Sequence, residues 1–279
     1  MSQVAAADVK KLRDRTNAPF KDCRAALIKT NGDLEKAVEE LRLMNSAVRD
    51  KKGERETAEG RVGIFIDPDQ KIGGILEMRC ESAPSAKNEL FVEMCEQLAK
   101  HVALNNPTSV EEFLGQKFSE DNSKTVQDRI DDVVGLIREN MKPARMKKLE
   151  GLLGHYVHHD GTVGVLLQVE GDNANEELLN DVCMHVAAIR PAAATKDKVD
   201  PALIENEKKI AIEQAKATGK PDNIVEKIAE GKLNSWYKEN VLTEQPFVKD
   251  DSKTVGEHLK GHGLTVVDFV CYKVGEAAS

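Results

Sequence analysis

The sequence predicts an α+β protein in which a small helical bundle precedes a mixed core of strands and helices. Its 279 residues are enough for two or three small domains. Apolar residues recur at helical spacing in the first fifty residues and again over 201–236, but they alternate at Val62, Ile64 and Ile66. Aromatic residues make up only 4% of the chain and charged residues 32%, which favours aliphatic cores beneath exposed, charged helices.

Residues 1–50 predict three short helices whose apolar stripes form one small bundle. The first stripe stops before Pro19, and a turn at Asn31-Gly32-Asp33 separates the second helix from the third. The aspartate of this turn is a suitable N-cap for the third helix. Residues 51–60 lie in a charged stretch without large apolar side chains and predict a linker, so we expect a tethered helical domain.

Residues 61–140 predict the first half of the core as two strands joined by a turn, followed by two helices. The alternation at residues 62–66 and the apolar run that follows indicate a β-hairpin. The remaining predicted elements are a second strand over Ile72–Cys80 and helices over Ser85–Leu104 and Val126–Glu139.

Residues 141–275 predict a second half that is related to the first by a weak internal repeat, with chance similarity as the alternative. Val163–Val169 resembles Ile72–Met78, and a proline follows six residues after both His101 and His185, each of which begins a His-Val-Ala sequence. The strands align at an offset of 91 residues and the helix ends at 84, so the first copy has a longer connector around residues 80–87. Loops between elements often carry function, and the connector is therefore a candidate site, with a neutral insertion as the alternative.

Within the second half, residues 201–236 predict an inserted, antiparallel helical hairpin. Both of its helices are mostly charged and share a narrow apolar seam, which is typical of a projecting coiled coil. The helices are separated at Thr218-Gly219-Lys220-Pro221, and we expect Trp236 and Tyr237 to pack at the base. A closing strand is predicted over Leu264–Val274.

Composition and segment patterns disfavour several classes of protein. The formal net charge of −8 disfavours a broad phosphate-binding surface, because nucleic-acid affinity depends on clustered lysine and arginine. No segment approaches the roughly 20 apolar residues of a membrane helix, and the N-terminus has no signal-peptide pattern. Five scattered cysteines fit reduced thiols, so we expect a cytoplasmic protein that contacts neither nucleic acid nor membrane.

Catalytic and cofactor motifs are missing from the sequence. It contains no phosphate-binding loop, no dinucleotide-binding glycine pattern and no nucleophile elbow. His155, His158 and His159 cluster in a turn, but no carboxylate or cysteine has matching metal-ligand spacing. Cys80 would serve as a nucleophile only beside a base. We expect no cofactor, no metal and no catalytic residue, and an enzyme that uses Cys80 or the histidine cluster stays open as an alternative.

Several segments resemble one known family. They are Leu12–Leu27 with the following Asn31-Gly32-Asp33, the helix end His185–Pro191, and the segments Gly219–Pro221, Glu226–Leu233, Glu244–Asp250 and Thr254-Val255. Together they cover nearly the whole chain in the same order as in elongation factor Ts, the nucleotide exchange factor for the translational GTPase elongation factor Tu.

The resemblance implies a ubiquitin-associated-like bundle, a core of two related α+β halves and an inserted coiled-coil hairpin. It also implies that the protein binds Tu with GDP, disturbs the magnesium and phosphate-loop region of Tu, and releases GDP during translation elongation without covalent chemistry. A homodimer within a heterotetramer with Tu is a further expectation. The alternative is a Ts-like chaperone or regulator that binds Tu and has weak exchange activity.

Seven residues are expected to face Tu. Ser82, Ala83, Pro84 and Ser85 stand where the family usually has Thr-Asp-Phe-Val, whose Asp-Phe pair reaches the Tu magnesium site. The acidic and aromatic pair is therefore missing here. Pro19 and Phe20 depart from the glycines and methionine that are usual in the N-terminal motif, and His158 matches a family histidine near the phosphate-loop side of Tu.

Overall fold

The computed structural model describes residues 4–172, 174–217 and 221–276, and its mixture of helices and antiparallel sheets confirms the α+β class. The N-terminal bundle consists of α1 (Ala6–Thr16), α2 (Phe20–Lys29) and α3 (Leu34–Lys52). Their shared core is aliphatic and consists of Val9, Leu12, Ala18, Cys23, Ala26, Leu27, Ala37 and Leu41. The Asp33 side chain accepts hydrogen bonds from the backbone amides of Glu35 and Lys36, which confirms the predicted N-cap.

Helix α3 is longer than the sequence predicts. It ends at Lys52, and the first strand begins at Glu59. Residues 51, 52, 59 and 60 of the predicted linker are thus helix or strand, and residues 53–58 join the bundle to the first strand. The charged stretch that indicated a linker belongs in part to a helix with an exposed face, because charge by itself does not distinguish a solvated helix surface from a loop.

The C-terminal half of α3 packs against α7 (Val126–Ile137), which belongs to the core. Buried Asp131 of α7 accepts hydrogen bonds from Arg49 Nη1 at 2.7 Å and Ser46 Oγ at 3.1 Å. Gly135 permits the close approach, since a Cβ atom there would lie 2.1 Å from Asn45 Oδ1. The bundle is thus docked on the core rather than tethered beside it.

The first sheet has the antiparallel order β1-β2-β5, with β1 (Glu59–Asp67), β2 (Ile72–Cys80) and β5 (Met141–Glu150). Helix α5 (Glu89–Asn105) covers one face of it. Glycine is needed at two positions beneath α5, because a Cβ atom would lie 2.4 Å from Cys95 O at Gly63 and 2.2 Å from Ala99 O at Gly74.

Strand β5 was not predicted, and the helix predicted over residues 85–104 is divided. The β5 sequence contains Pro143 and several basic residues, which suit an edge strand but give no β-branched signal. The predicted helix is a single turn, α4 (Ala83–Ala86), followed by α5, because Asn88 caps α5 by accepting a hydrogen bond from the Leu90 amide. The other elements of this half are α6 (Val110–Gly115), β3 (Lys117–Phe118) and β4 (Asp121–Thr125).

The second sheet has the antiparallel order β10-β7-β6, with β6 (Leu152–Val157), β7 (Val163–Gly171) and β10 (Leu264–Lys273). It is accompanied by α8 (Glu176–Ile189), β8 (Pro246–Phe247), β9 (Asp250–Thr254) and α11 (Val255–Gly261). The two sheets pack against each other through a cluster of Val62, Ile75, Leu149 and Leu166. Burial of such aliphatic side chains stabilises the contact by about 1.5–3 kcal/mol each.

Two fully buried histidines hold similar turns. His101 Nε2 lies 2.9 Å from Gln116 Oε1, and His185 Nε2 lies 2.9 Å from Gln245 Oε1. Each ring packs near a phenylalanine, Phe118 or Phe247. These contacts confirm the prediction that both are hydrogen-bonded residues near helix ends.

The arm consists of α9 (Pro201–Lys216) and α10 (Asp222–Asn240), which pack along a seam of small apolar residues that includes Ala211, Ala215, Val225 and Ala229. Helix α10 continues four residues beyond the predicted end at Trp236. Of the predicted break at residues 218–221, the first three lie outside the described residues. Trp236 and Tyr237 pack with Ala193, Val199 and Val241, which confirms their role as packing anchors. In the described part of the chain, no helix combines the length and apolarity that a membrane span requires.

Candidate functional site

The connector forms a small, capped projection at the end of β2. Ser82 is the N-cap of α4, and its Oγ accepts a hydrogen bond from the Ser85 amide. Pro84 lies in the first turn of α4, where its fixed φ suits a helix start and its missing N–H costs nothing. Ala83 and Pro84 are exposed, whereas Ser85 and Ala86 are buried. Between Ser82 and Ser85, a partner would therefore meet mainly the exposed Ala83-Pro84 tip, and Ser82 is half-buried.

The carboxylates of Glu81 and Glu139 hold the connector in place through hydrogen bonds. The Glu139 side chain accepts hydrogen bonds from Ser82 Oγ at 2.7 Å and from the Ser82 amide at 3.2 Å. Glu81 Oε1 accepts a hydrogen bond from the Asn140 amide at 2.6 Å, and Arg55 Nη1 donates to Glu81 Oε2 at 3.1 Å. Burial raises the pKa of Glu81, but these donors outweigh it and lower the pKa below the usual range. The connector is a preorganised surface.

His158 lies in the tight turn between β6 and β7. Its Nδ1 is 2.9 Å from Tyr156 Oη, and its ring centroid is 4.3 Å from that of His159. Gly161 has φ +76°, and a Cβ atom there would lie 2.4 Å from Arg61 Nη1, so the turn requires glycine. The tyrosine hydroxyl orients the His158 ring, which is half-buried.

The connector and the His158 turn lie at the same end of the paired sheets. The Val62 amide donates to Gly161 O at 2.9 Å, which joins the turn to the beginning of β1. Glu59, at the start of β1, pairs with Cys80, the last residue of β2 before the connector. The tertiary structure thus brings two of the three groups of predicted site residues to one end of the sheets.

Pro19 and Phe20 lie at the beginning of α2. Pro19 is the exposed N-cap residue of α2, and the Phe20 side chain is 54% exposed while the opposite face of the helix is buried. Asp22, two residues further on, forms an ion pair with Arg138 at the end of α7. Because Arg138 directly precedes Glu139, the start of α2 is linked to the connector through adjacent residues.

The structure bears on the alternatives that use Cys80 or a metal ion. Cys80 is buried, and burial raises the pKa of its thiol to about 12, so the nucleophilic thiolate is suppressed. Within the described ranges, no three His, Cys, Asp or Glu side chains are arranged so that they could hold a metal ion.

Sequence reasoning missed the residues that hold the site together. Glu139 ends the helix predicted over Val126–Glu139, although α7 stops at Ile137, and Asn140 lies between it and the unpredicted strand β5. No local pattern marks either residue as functional. Their partners Ser82 and Glu81 are 57 and 59 residues distant along the chain. Only the pairing of Cys80 with Met141 in the sheet brings them together.

Comparison with known proteins gives one consistent family. A family model described as "Elongation factor TS" matches residues 85–276. The chain is 40% identical to elongation factor Ts of Hyphomonas neptunium, across 99% of this chain and 93% of that relative. It is 41% identical to elongation factor Ts of Clostridium botulinum, across 98% and 93% of the two chains. The identity to elongation factor Ts of Azoarcus sp. is 39%, across 99% and 92%.

Proposed function

This chain belongs to the elongation factor Ts family, and on that premise we propose that it is a guanine nucleotide exchange factor for elongation factor Tu. It binds Tu with GDP and promotes GDP release in the cytoplasm by disturbing the magnesium and phosphate-loop region of Tu. It does so by binding, without covalent chemistry. The observation that carries this proposal is the identity of about 40% to elongation factors Ts over almost the entire chain.

Three surfaces are proposed to face Tu. They are the start of α2 at Pro19 and Phe20, the connector at Ser82, Ala83, Pro84 and Ser85, and the His158 turn. Exposure of Phe20, Ala83 and Pro84 supports direct contact, and the rigid support of the connector supports a fixed wedge. Preorganisation limits the conformational entropy that is lost when an interface forms.

The connector differs chemically from the usual family wedge. Ala83 and Pro84 can contribute bulk to the Tu surface but neither charge nor an aromatic ring. We therefore expect exchange to persist with a larger contribution from the rest of the interface, including His158, whose ring is oriented by Tyr156.

Architecture and assembly complete the proposal. The bundle is ubiquitin-associated-like, the two sheet-and-helix units are related halves, and the arm is a coiled coil for partner contact or self-association. The matching histidine–glutamine contacts of His101 and His185 support the related halves. The proposed assembly is a homodimer of this chain within a heterotetramer with Tu. Light scattering of the chain with and without Tu measures the mass of each assembly and tests this proposal.

Release of fluorescent GDP from Tu tests the function. The wild-type chain should accelerate release, and Pro84→Gly should reduce the acceleration only modestly. His158→Ala should raise the barrier by about 1–2 kcal/mol through loss of a hydrogen bond. Binding to Tu without acceleration would favour the chaperone or regulator, which no described feature favours. If Pro84→Gly abolishes release while His158→Ala has no effect, the connector tip is the active wedge despite its altered chemistry.

A further inference from the structure

Three consecutive residues, Arg138, Glu139 and Asn140, contact different parts of the molecule. Arg138 faces the N-terminal bundle: its guanidinium pairs with Asp22 of α2, and its carbonyl oxygen accepts a hydrogen bond from Lys52 Nζ of α3. Two of the three helices of the bundle, α2 and α3, therefore contact this one residue of the core.

Glu139 and Asn140 face the connector and the link to the bundle. Glu139 accepts both hydrogen bonds from Ser82, as described above. Asn140 is 3% exposed, and its Nδ2 donates to Gly53 O at 3.2 Å and to Arg55 O at 2.8 Å. A buried amide with these partners leaves little freedom to the chain that joins α3 to β1.

The backbone of these three residues is restrained on both sides. Arg138 adopts φ +64° as the C-cap of α7, and its amide donates to Val134 O at 2.8 Å. Met141, which follows, pairs with Cys80 in the first sheet. Because Arg138, Glu139 and Asn140 are adjacent, no loop lies between their contacts. A rotation of the bundle that displaces Arg138 should therefore also displace Glu139 and Asn140.

We propose that Arg138-Glu139-Asn140 is a coupling junction that transmits the docking of the N-terminal bundle to the connector, with Glu139 and Asn140 as positioning residues. This inference rests on the proposed function in one respect, that the bundle and the connector both face Tu. Binding through the start of α2 then fixes Arg138, and Glu139 fixes the N-cap of α4 in the orientation in which its tip meets the Tu surface.

Hydrogen exchange of the free protein tests the junction without Tu. Arg138→Gly keeps the left-handed backbone, since glycine tolerates positive φ, but removes the ion pair with Asp22. If the junction couples, the amides of residues 82, 83 and 85–88 should exchange about five-fold faster in this variant, although the ion pair and hydrogen bonds of Arg138 go to Asp22, Lys52 and Val134. Glu139→Gln should increase exchange at the same amides. Glu120→Gln, which alters an exposed glutamate paired with Lys100, is the matched control and should leave them unchanged.

Measurements of GDP release from Tu distinguish a junction that couples the bundle to the connector from one that only holds the bundle on the core. Arg138→Gly should raise the half-saturating concentration and also lower the maximal rate of release, whereas a residue that only holds the bundle would change the concentration alone. Glu139→Gln should lower the maximal rate at an unchanged half-saturating concentration. If that variant folds poorly, Ser82→Ala removes the 2.7 Å bond from the other partner.

The outcomes are distinguishable. If the wild-type chain does not accelerate GDP release, the proposed function fails, and hydrogen exchange alone decides the junction. If Arg138→Gly leaves connector protection unchanged, the junction does not couple the two surfaces and the inference is overturned. It is equally overturned if both variants release GDP at the wild-type maximal rate.

Discussion

At the scale of single residues, Asp131 illustrates how a buried charge can be held. Burial raises its pKa above the usual range even though Arg49, Gln127 and Ser46 all donate hydrogen bonds to it. The ionised form of Asp131 is therefore less stable in the folded protein than it would be in water. Asp131 accepts hydrogen bonds from Ser46 and Arg49 of α3 and from Gln127 of α7, and it thereby joins the two helices.

Substitution of Asp131 should depend on whether an acceptor remains. We expect Asp131→Asn to change the free energy of unfolding by about 1 kcal/mol or less, because the amide oxygen still accepts a hydrogen bond. Asp131→Ala should cost about 1–3 kcal/mol, since it removes the acceptor of the hydrogen bonds from Ser46, Arg49 and Gln127, while Arg49 keeps its ion pair with Asp50. Urea unfolding measures both variants, and equal losses would contradict this account.

The two buried histidines predict acid sensitivity. Burial lowers the pKa of His101 and His185 below the usual value, so the folded state keeps them neutral while the unfolded chain protonates near pH 6.5. Their contribution is complete above about pH 6.5 and is lost as the pH falls through the lowered folded pKa values.

Unfolding free energies at pH 7.5, 6.5 and 5.5 should therefore decrease below pH 6.5. The double variant His101→Gln, His185→Gln should be less stable at pH 7.5 but should show a shallower decrease between pH 6.5 and 5.5. An unchanged slope in the double variant would show that other groups cause the acid sensitivity.

At the scale of elements, the described residues of the arm are anchored to the core at its base. Its seam is formed by small side chains, and Trp236 and Tyr237 attach it to the core beside Val241. The backbone bond from the Ala192 amide to Asn240 O, at 2.8 Å, ties the end of α10 to the segment after α8. The rest of the arm contributes little to the core.

Replacement of residues 206–234 with a short Gly-Ser loop should leave both sheets folded, because loop closure costs only a small and slowly varying free energy. We expect a thermal midpoint within a few degrees of the full chain, measured by circular dichroism at 222 nm and by near-ultraviolet spectra. The matched control, replacement of residues 201–240, also removes the anchors and should lower the midpoint further. A molten short-loop variant would show that the arm belongs to the core.

At the scale of the whole molecule, the docking of α3 makes the bundle and the first core half interdependent. Val48 of α3 packs against the core cluster that contains Val133 and Val134 of α7. Removal of α3 exposes this surface and deprives Asp131 of Arg49 and Ser46. A core without the bundle therefore carries a partly uncompensated charge as well as exposed apolar atoms.

Deletion of residues 1–52 should destabilise the remaining core, and Asp131→Asn in the deleted chain should restore part of the loss. In the full chain the same substitution should not stabilise, so the comparison isolates the unpaired carboxylate. Thermal unfolding of the four proteins provides the measurement. If the deleted core is as stable as the full chain, the bundle is a tethered domain as the sequence alone suggested.

The sequence by itself determined the elements whose signals are local. The strand Ile72–Cys80 was predicted with the bounds that the structure has, because alternation and turn residues lie within a few positions of each other. The Asp33 cap and the packing of Trp236 were likewise readable from neighbouring residues. The family was readable from segments spread along the chain.

Only the tertiary structure decided the features that depend on distant partners. Strand β5 forms because it pairs with the free edge of β2. The basic residues and the proline of β5 do not by themselves predict a strand. Helix α3 is docked because Asp131, Gly135 and Arg138 present complementary surfaces more than 80 residues away. Glu139 and Asn140 are polar residues like many others in this sequence until the sheet places Ser82 and Glu81 beside them. A hydrogen bond depends on two groups that are close in space. When those groups are far apart along the chain, local sequence patterns do not predict the bond.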